Sequence, residues 1–218
     1  MYKLRLRYSK IGKAKYISHL DLMAAMQRAL TRAGLRLNYS EGFNPHPYIS
    51  VALPLPVGCG SYCELVDIGF AEAIPAGDIA GRTNSALPEG IEIKEAYEPV
   101  RKFNEISWLE ISAALTYDNG GPPDARELLT ECFSSEQIVV SKKTKRGVSE
   151  LDVAPYIKSV TFTGENPIIM SGRFSAQNPS INPENIKCIL GGCGGSIKPD
   201  FTAFSRQEIF DKDFIVFR

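Results

Sequence analysis

Two successive stretches of the sequence show the same order of strand and helix patterns. Residues 2–8, YKLRLRY, alternate between apolar and basic side chains, which predicts a half-buried strand with a basic outer face. Ser18-His-Leu-Asp21 then predicts a helix start, because a serine followed three residues later by an acid forms a capping box. We expect this helix to end near Ala33, because Gly34 follows it.

The following patterns complete the order strand, helix, two or three strands, helix, strand. The predicted elements are a short strand near 36–40, strands at 48–55, 62–70 and 91–97, and a helix at 75–86. This order is the split βαβ pattern of a ferredoxin-like domain.

The second half of the chain repeats this order more loosely. The predicted strands are 106–115, 136–141, 156–163, 167–174 and 200–210, and the predicted helices are 122–133 and 183–190. The predicted fold class is therefore α+β, with two tandem ferredoxin-like (βαββαβ) units and antiparallel sheets. We place the N-terminal domain at residues 1–100 and the C-terminal domain at residues 104–218.

Composition narrows the class of protein. The 218 residues are 44% apolar and 23% charged, as in an ordinary globular chain. No apolar run approaches the ~20 residues that cross a bilayer, and the N-terminus lacks a signal-peptide pattern. We therefore expect a cytoplasmic protein without membrane contact, whose five cysteines are reduced thiols: Cys59, Cys63, Cys132, Cys188 and Cys193.

The cysteines and histidines do not match a known metal-binding pattern. Cys59 and Cys63 have the spacing C-x3-C, but Val66 stands where a radical-SAM cluster would need a third cysteine. His19 and His46, with a carboxylate and a cysteine, offer chemically reasonable zinc or iron ligands, although no pair has a known ligand spacing. We predict no metal site and no cofactor.

Charge is balanced overall but unevenly distributed along the chain. Residues 1–36 carry a net charge of +8 and residues 37–100 carry −7. An exposed basic face would attract phosphates, whereas two segments that are neighbours in the fold would neutralise each other. The candidate phosphate-binding residues are Arg5, Arg7, Lys15, Lys143, Lys145 and Arg146.

The stretch 40–47 is predicted to be a rigid loop, because two prolines and a glycine exclude a helix. Phe43 and Tyr48 could stack on a nucleobase, and Asn44 could hydrogen-bond to a base edge. The alternative is a tight turn in which Asn44 caps backbone groups. The predicted binding loop consists of Ser40, Gly42, Phe43, Asn44, Pro45, His46 and Pro47.

His19 and His46 are the two histidines of the chain and the candidate catalytic residues. The positive end of a helix dipole favours a neutral imidazole at position 19, which suits proton abstraction from a ribose 2′-hydroxyl. Helical spacing also places His19 with Leu22 and Met26 on the core side, so a half-buried structural histidine is the alternative. Because the sequence contains no complete catalytic motif, enzymatic activity stays an open question.

Four longer strings resemble a known family: Tyr16-Ile-Ser-His-Leu-Asp-Leu22, Tyr39-Ser-Glu-Gly-Phe-Asn-Pro-His-Pro47, Ala52-Leu-Pro-Leu-Pro-Val-Gly58 and Leu87-Pro-Glu-Gly90. They are similar to the bacterial radical-SAM-linked proteins of unknown function, most strongly over residues 2–100. In that family the module is encoded beside a radical-SAM protein or fused to one. The resemblance implies a radical-SAM partner, and the family's usual gene neighbours, a ribonuclease and ribosomal proteins, imply work on ribosomal or transfer RNA.

Three functional hypotheses follow. The first is an accessory protein that recognises a substrate, RNA, for a separate radical-SAM enzyme. The second is an RNA-processing or RNA-modifying enzyme with His19 or His46 as general acid or base. A fold-level similarity to the repeat-processing endoribonucleases of CRISPR systems, which carry a histidine near the first helix, favours this second hypothesis only by analogy. The third is a structural partner of the radical-SAM protein with an exposed apolar patch and no RNA affinity. We favour the first.

Overall fold

The computed structural model describes residues 2–144, 147–195 and 197–218, with side chains outside 142–149. The chain divides into two compact units, Met1–Glu105 with Arg218, and Ile106–Phe217. Each unit combines helices with an antiparallel sheet, and the described residues contain four α-helices. The predicted α+β class is therefore confirmed.

The first unit follows the predicted order of elements. They are β1 (Tyr2–Lys10), α1 (His19–Arg32), β2 (Ile49–Val51), β3 (Gly60–Phe70), α2 (Ala76–Thr83) and β4 (Ile91–Tyr97). The strands lie in the order β4-β1-β3-β2, and each neighbouring pair is antiparallel. A 3-10 turn, Gly12–Tyr16, joins β1 to α1.

Two strand predictions in the first unit need correction. The strand expected near 36–40 is absent from the described chain, where isolated bridges join Leu37 to Phe70 and Tyr39 to Pro47. The strand expected at 48–55 is shortened to β2, because Leu53 adopts a positive φ of 45°. Such a backbone conformation interrupts extended pairing, and the proline that follows cannot donate a ladder hydrogen bond.

The core of the first unit lies between β1 and α1. Leu4, Leu6 and Tyr8 of β1 are fully buried on the face of the sheet that α1 covers. The α1 residues of this core are Leu22, Met26 and Leu30, with Ala29 also buried. Helical spacing predicts Leu22 and Met26 at these positions. Ala25 is also buried.

The second unit contains the remaining elements. They are β5 (Trp108–Thr116), α3 (Ala125–Phe133), β6 (Val139–Thr144), β7 (Gly147–Asp152), β8 (Ile157–Thr163), β9 (Ile168–Ser175), α4 (Pro183–Gly192) and β10 (Phe201–Phe210). Its main sheet has the order β10-β5-β9-β8, with antiparallel neighbours. β6 and β7 form a separate antiparallel pair. The strand predicted at 136–141 is β6, which begins later, at Val139, and ends later, at Thr144.

A disulfide joins Cys132 of α3 to Cys193 after α4, with their Cα atoms 5.7 Å apart. The prediction of reduced thiols is wrong for this pair. Its 61-residue sequence separation concealed the contact, which depends on the two helices lying side by side. Cys59, Cys63 and Cys188 are thiols, the first two buried and the third exposed.

Candidate functional site

The 3-10 turn Gly12–Tyr16 is contacted by two of the strings that carry the family resemblance. On one side the amide of Ile11, just before the turn, donates a hydrogen bond of 2.8 Å to the carbonyl oxygen of Gly90. On the other side the amide of Gly58 donates one of 2.9 Å to the carbonyl oxygen of Lys15. The strings ending in Gly58 and Gly90, far apart in sequence, are therefore brought together at this turn.

Positive φ angles make these approaches possible. Gly58 has a φ of 89° and Gly90 a φ of 87°, a backbone conformation that favours glycine. A Cβ on Gly90 would also collide with the carbonyl oxygen of Ile11. Gly90 is therefore required by both its φ and its close contact with the residue before the turn, and Gly58 is required by its φ.

Helix α1 begins directly after the turn, as the capping box predicts. The side chain of Ser18 accepts a hydrogen bond of 3.2 Å from the amide of Asp21. His19, the first helical residue, is exposed, so the expected position on the core side is wrong. The core contacts of α1 begin at Leu22. His19, in the first turn of the helix, therefore lies outside the core.

A buried lysine lies at the junction between the Gly12–Tyr16 turn and α1. Lys10 is 2% exposed, and its Nζ donates a hydrogen bond of 2.7 Å to the carbonyl oxygen of Ile17. Burial lowers the pKa of Lys10, while the nearby Glu64 and Cys59 act in the opposite direction. Lys10 and Glu64 therefore form a buried group of opposite charges beneath the start of α1.

The predicted binding loop, residues 40–47, is closed at its base by Ser40. The amide of Ser40 donates to the carbonyl oxygen of His46 at 2.9 Å, and the amide of His46 donates to the Ser40 hydroxyl at 3.0 Å. Gly42 has a φ of 117°, which reverses the chain at the tip. The side chain of Phe43 is fully exposed there.

The loop is attached to α1 through Tyr39. The Nε2 of Gln27 donates a hydrogen bond of 3.3 Å to the Tyr39 hydroxyl, and Tyr39 pairs with Pro47 across the loop base. His19 and Gln27 are two helical turns apart on the same face of α1, which corresponds to about 12 Å along the axis. We define the recognition surface as the Gly12–Tyr16 turn, the side chains of α1 between His19 and Gln27 that are not buried, and residues 39–48 and 53–58.

The recognition surface is rich in exposed apolar side chains. Those exposed by more than two fifths of their area are Tyr16, Leu20, Tyr39, Phe43, Tyr48 and Val57. The Nζ of Lys15 lies 5.1 Å from the centroid of the Tyr16 ring. Lys13 is an exposed cation of the same turn. Rings and cations together offer stacking and phosphate contacts.

The two histidines, His19 and His46, are both exposed on the first unit. Among the described side chains, neither imidazole has a carboxylate within ion-pair distance that would orient it as a general base. In those same described residues no three potential metal ligands of the histidine, cysteine or carboxylate type converge.

Arg5 and Arg7 do not form the exposed basic face that the alternation of β1 predicted. Arg5 is 1% exposed, and its guanidinium is paired with Asp67 of β3. The Nε of Arg7 lies 3.9 Å from Glu95 of β4, and the Arg7 side chain is 13% exposed. Because β1 lies between two strands of the acidic segment, the alternative of mutual neutralisation is correct for Arg5 and Arg7.

The other candidate phosphate ligands differ in position. Lys15 is half-buried beside Tyr16 on the recognition surface. Lys143 lies in β6, and its side chain is outside the described part of the molecule. Lys145 and Arg146 lie outside the described residues altogether.

Comparison with known proteins places this two-unit α+β chain in a family. Residues 3–183 match the family described as uncharacterized protein conserved in bacteria (DUF2344), and the chain belongs to it. The match includes all four strings and extends through most of the second unit. No curated protein matches the chain significantly. Within the described residues, no helix is long and apolar enough to cross a membrane.

Proposed function

We propose that this chain is an accessory protein that recognises a substrate, RNA, for a separate radical-SAM enzyme. The observation that carries the proposal is the fully exposed Phe43 ring on a loop closed by two hydrogen bonds between Ser40 and His46. A large apolar side chain held in water by a closed loop is available to a partner without reordering the backbone. The radical-SAM partner comes from the family resemblance of the four strings.

RNA binding in this proposal depends on stacking more than on a basic strand. Because Arg5 and Arg7 are paired with carboxylates, we assign stacking to Phe43 and Tyr48 and edge recognition to Asn44. Lys13 and Lys15 supply the phosphate contacts. With few phosphate contacts, the affinity should fall only modestly as salt rises.

We also propose that both units are ferredoxin-like. Two observations support this: the antiparallel order β4-β1-β3-β2 in the first unit and the order β10-β5-β9-β8 in the second. In the second unit β6 and β7 would be an insertion between the first helix and the second strand of the motif.

A second candidate function is that of a purely structural partner of the radical-SAM protein. The observation that favours it is the exposure of Leu20 and Val57, apolar side chains suited to a protein interface. The enzymatic alternative, with His19 or His46 as general acid or base, lacks an orienting carboxylate among the described side chains.

The proposal is tested by RNA binding to the full chain. Labelled single-stranded fragments of ribosomal and transfer RNA are titrated with the wild type, Phe43→Ala and Val100→Ala, and fluorescence anisotropy is recorded over a salt series. Val100 is the matched control, because it is an exposed apolar residue outside the recognition surface. Loss of one stacked base predicts about 5- to 150-fold weaker binding for Phe43→Ala and no change for the control.

Two results would overturn the proposal. Absence of RNA binding at low salt would reject the RNA role and the enzymatic alternative together. Equal affinity of wild type and Phe43→Ala would reject the loop as the binding element. Formation of a complex with the radical-SAM protein, without RNA affinity, would leave the structural-partner role in its place.

A further inference from the structure

The main sheet of the second unit has a face lined by half-exposed side chains. Along β5, buried residues alternate with half-exposed ones, and the half-exposed residues pair across to β9. These pairs are Glu110 with Arg173, Ser112 with Ser171, and Ala114 with Ile169. The opposite face packs under the helices, as the 5.6 Å separation of the Phe133 and Phe162 rings shows. We call the half-exposed side the open face.

Aromatic rings and cations alternate at one end of the open face. Trp108 stacks on Phe214, with ring centroids 5.4 Å apart and an interplanar angle of 22°. The Nζ of Lys158 lies 5.3 Å from the Trp108 ring, and the guanidinium of Arg173 lies 5.5 Å from the Phe214 ring. This arrangement places two cations against the faces of two stacked rings.

The position of Phe214 depends on a strained backbone. Its φ is 59°, which is unfavourable for a residue with a bulky side chain. The carboxylate of Asp211 holds the turn, accepting hydrogen bonds of 2.9 Å from the amides of Asp213 and Ile215. Strain that persists in this way is concentrated at functional positions, which makes the Trp108 end of the open face a candidate site.

We propose that the open face is a second RNA-binding surface, which stacks a base of a single-stranded RNA on Trp108 and contacts the flanking phosphates through Lys158 and Arg173. The class of ligand rests on the proposed function, whereas the site is separate from the recognition surface. The base takes the place of the Lys158 ammonium over the indole, and the flexible lysine side chain moves to a phosphate.

The chemistry of the surface favours a single strand over a duplex. Bases paired in a duplex are not available for stacking on an aromatic side chain. Beyond Trp108 the open face carries the small side chains of Ser112, Ala114 and Ser171. The carboxylate of Glu110 lies 3.4 Å from the guanidinium of Arg173 and partly neutralises it. Lys158 is therefore the stronger phosphate contact.

Trp108 is the only tryptophan of the chain, so intrinsic fluorescence reports directly on the proposed site. The full chain is titrated with a single-stranded RNA of about 12 nucleotides and with the same sequence as a duplex. We expect saturable quenching by the single strand and little by the duplex. Lys158→Glu should weaken binding at least 10-fold. Arg126→Glu, an equal change of charge on the exposed side of α3, should leave the binding unchanged.

Parallel anisotropy measurements separate this inference from the proposed function. RNA binding that is lost in Phe43→Ala, without any change in Trp108 fluorescence or any effect of Lys158→Glu, overturns the second site and leaves the first. Quenching that is lost in Lys158→Glu supports the second site, and anisotropy that is unchanged in Phe43→Ala rejects the first. Absence of RNA binding overturns both. A fluorescence change caused by the radical-SAM protein and not by RNA overturns the inference in favour of a protein interface.

Discussion

The guanidinium of Arg5 binds both carboxylate oxygens of Asp67, with Nε to Oδ1 at 2.7 Å and Nη2 to Oδ2 at 3.1 Å. The Nη2 of Arg5 also donates to the carbonyl oxygen of Arg101 at 2.8 Å, and the Phe103 ring lies 4.3 Å from the guanidinium carbon. Asp67 therefore neutralises Arg5, a residue that the sequence predicts to bind phosphate. Recognition by this unit must rely on other side chains.

Breaking the Arg5–Asp67 pair should destabilise the protein strongly. Asp67→Ala leaves the buried guanidinium without its carboxylate, so we expect a loss of about 3–5 kcal/mol in the free energy of unfolding. Urea denaturation measures this loss. The double variant Arg5→Met, Asp67→Leu should recover most of it, because both charges are removed together. A change below about 0.5 kcal/mol in Asp67→Ala would contradict the buried pair.

Gly90 should tolerate no side chain, because a Cβ there collides with the carbonyl oxygen of Ile11 and the φ of 87° is positive. We expect Gly90→Ala to lower the free energy of unfolding by about 1–3 kcal/mol. The matched control is Gly77→Ala in α2, where a Cβ meets no atom within 4 Å. The control should be neutral or stabilising by up to about 1 kcal/mol. Thermal denaturation compares the two variants, and equal shifts in their melting temperatures would contradict the close contact at Gly90.

The buried Lys10 predicts a specific pH dependence. Burial lowers its pKa in the folded protein below the ordinary 10.5, so the unfolded chain binds this proton more tightly. Lys10 therefore makes a contribution to the free energy of unfolding that increases as the pH rises towards 10.5, the ordinary pKa of lysine. In Lys10→Met this contribution is absent.

The relevant quantity is the stability difference between wild type and Lys10→Met, measured by denaturation from about pH 7 to about pH 10. It should shift in favour of the wild type as pH rises. Burial raises the pKa values of Tyr97 and Tyr117 above the ordinary 10.0, so these tyrosines lower the free energy of unfolding as the pH rises above that value. Both proteins contain these tyrosines, so their contributions cancel in the difference. A difference that is constant, or that shifts towards the variant, would show that Lys10 is not buried as described.

The Cys132–Cys193 disulfide can be tested by counting thiols. The protein denatured without reductant should show three reactive thiols, from Cys59, Cys63 and Cys188, and five after reduction. Cys132→Ser should lower the free energy of unfolding by about 2–4 kcal/mol, because the disulfide closes a long loop in the unfolded chain. Five thiols before reduction would contradict the bond.

Periodicity in the sequence predicted much of the fold but little of the site. The strand β1, the Ser18 cap and the helix α1 were predicted from local signals, and each was confirmed because its cause lies within a few residues. The neutralisation of Arg5 depends on Asp67, 62 residues away, and alternation cannot show which strands lie beside β1. The convergence of Gly58 and Gly90 on one turn is likewise a long-range contact.

The most direct test of the central claim is amide hydrogen exchange of the full chain, with and without single-stranded RNA and with and without the radical-SAM protein. We predict that RNA slows exchange in residues 39–48, around the exposed Phe43, and in the adjoining Gly12–Tyr16 turn. Exchange in α2, away from the recognition surface, should be unchanged. RNA binding that leaves 39–48 unprotected would contradict the account, because recognition would then occur elsewhere on the molecule.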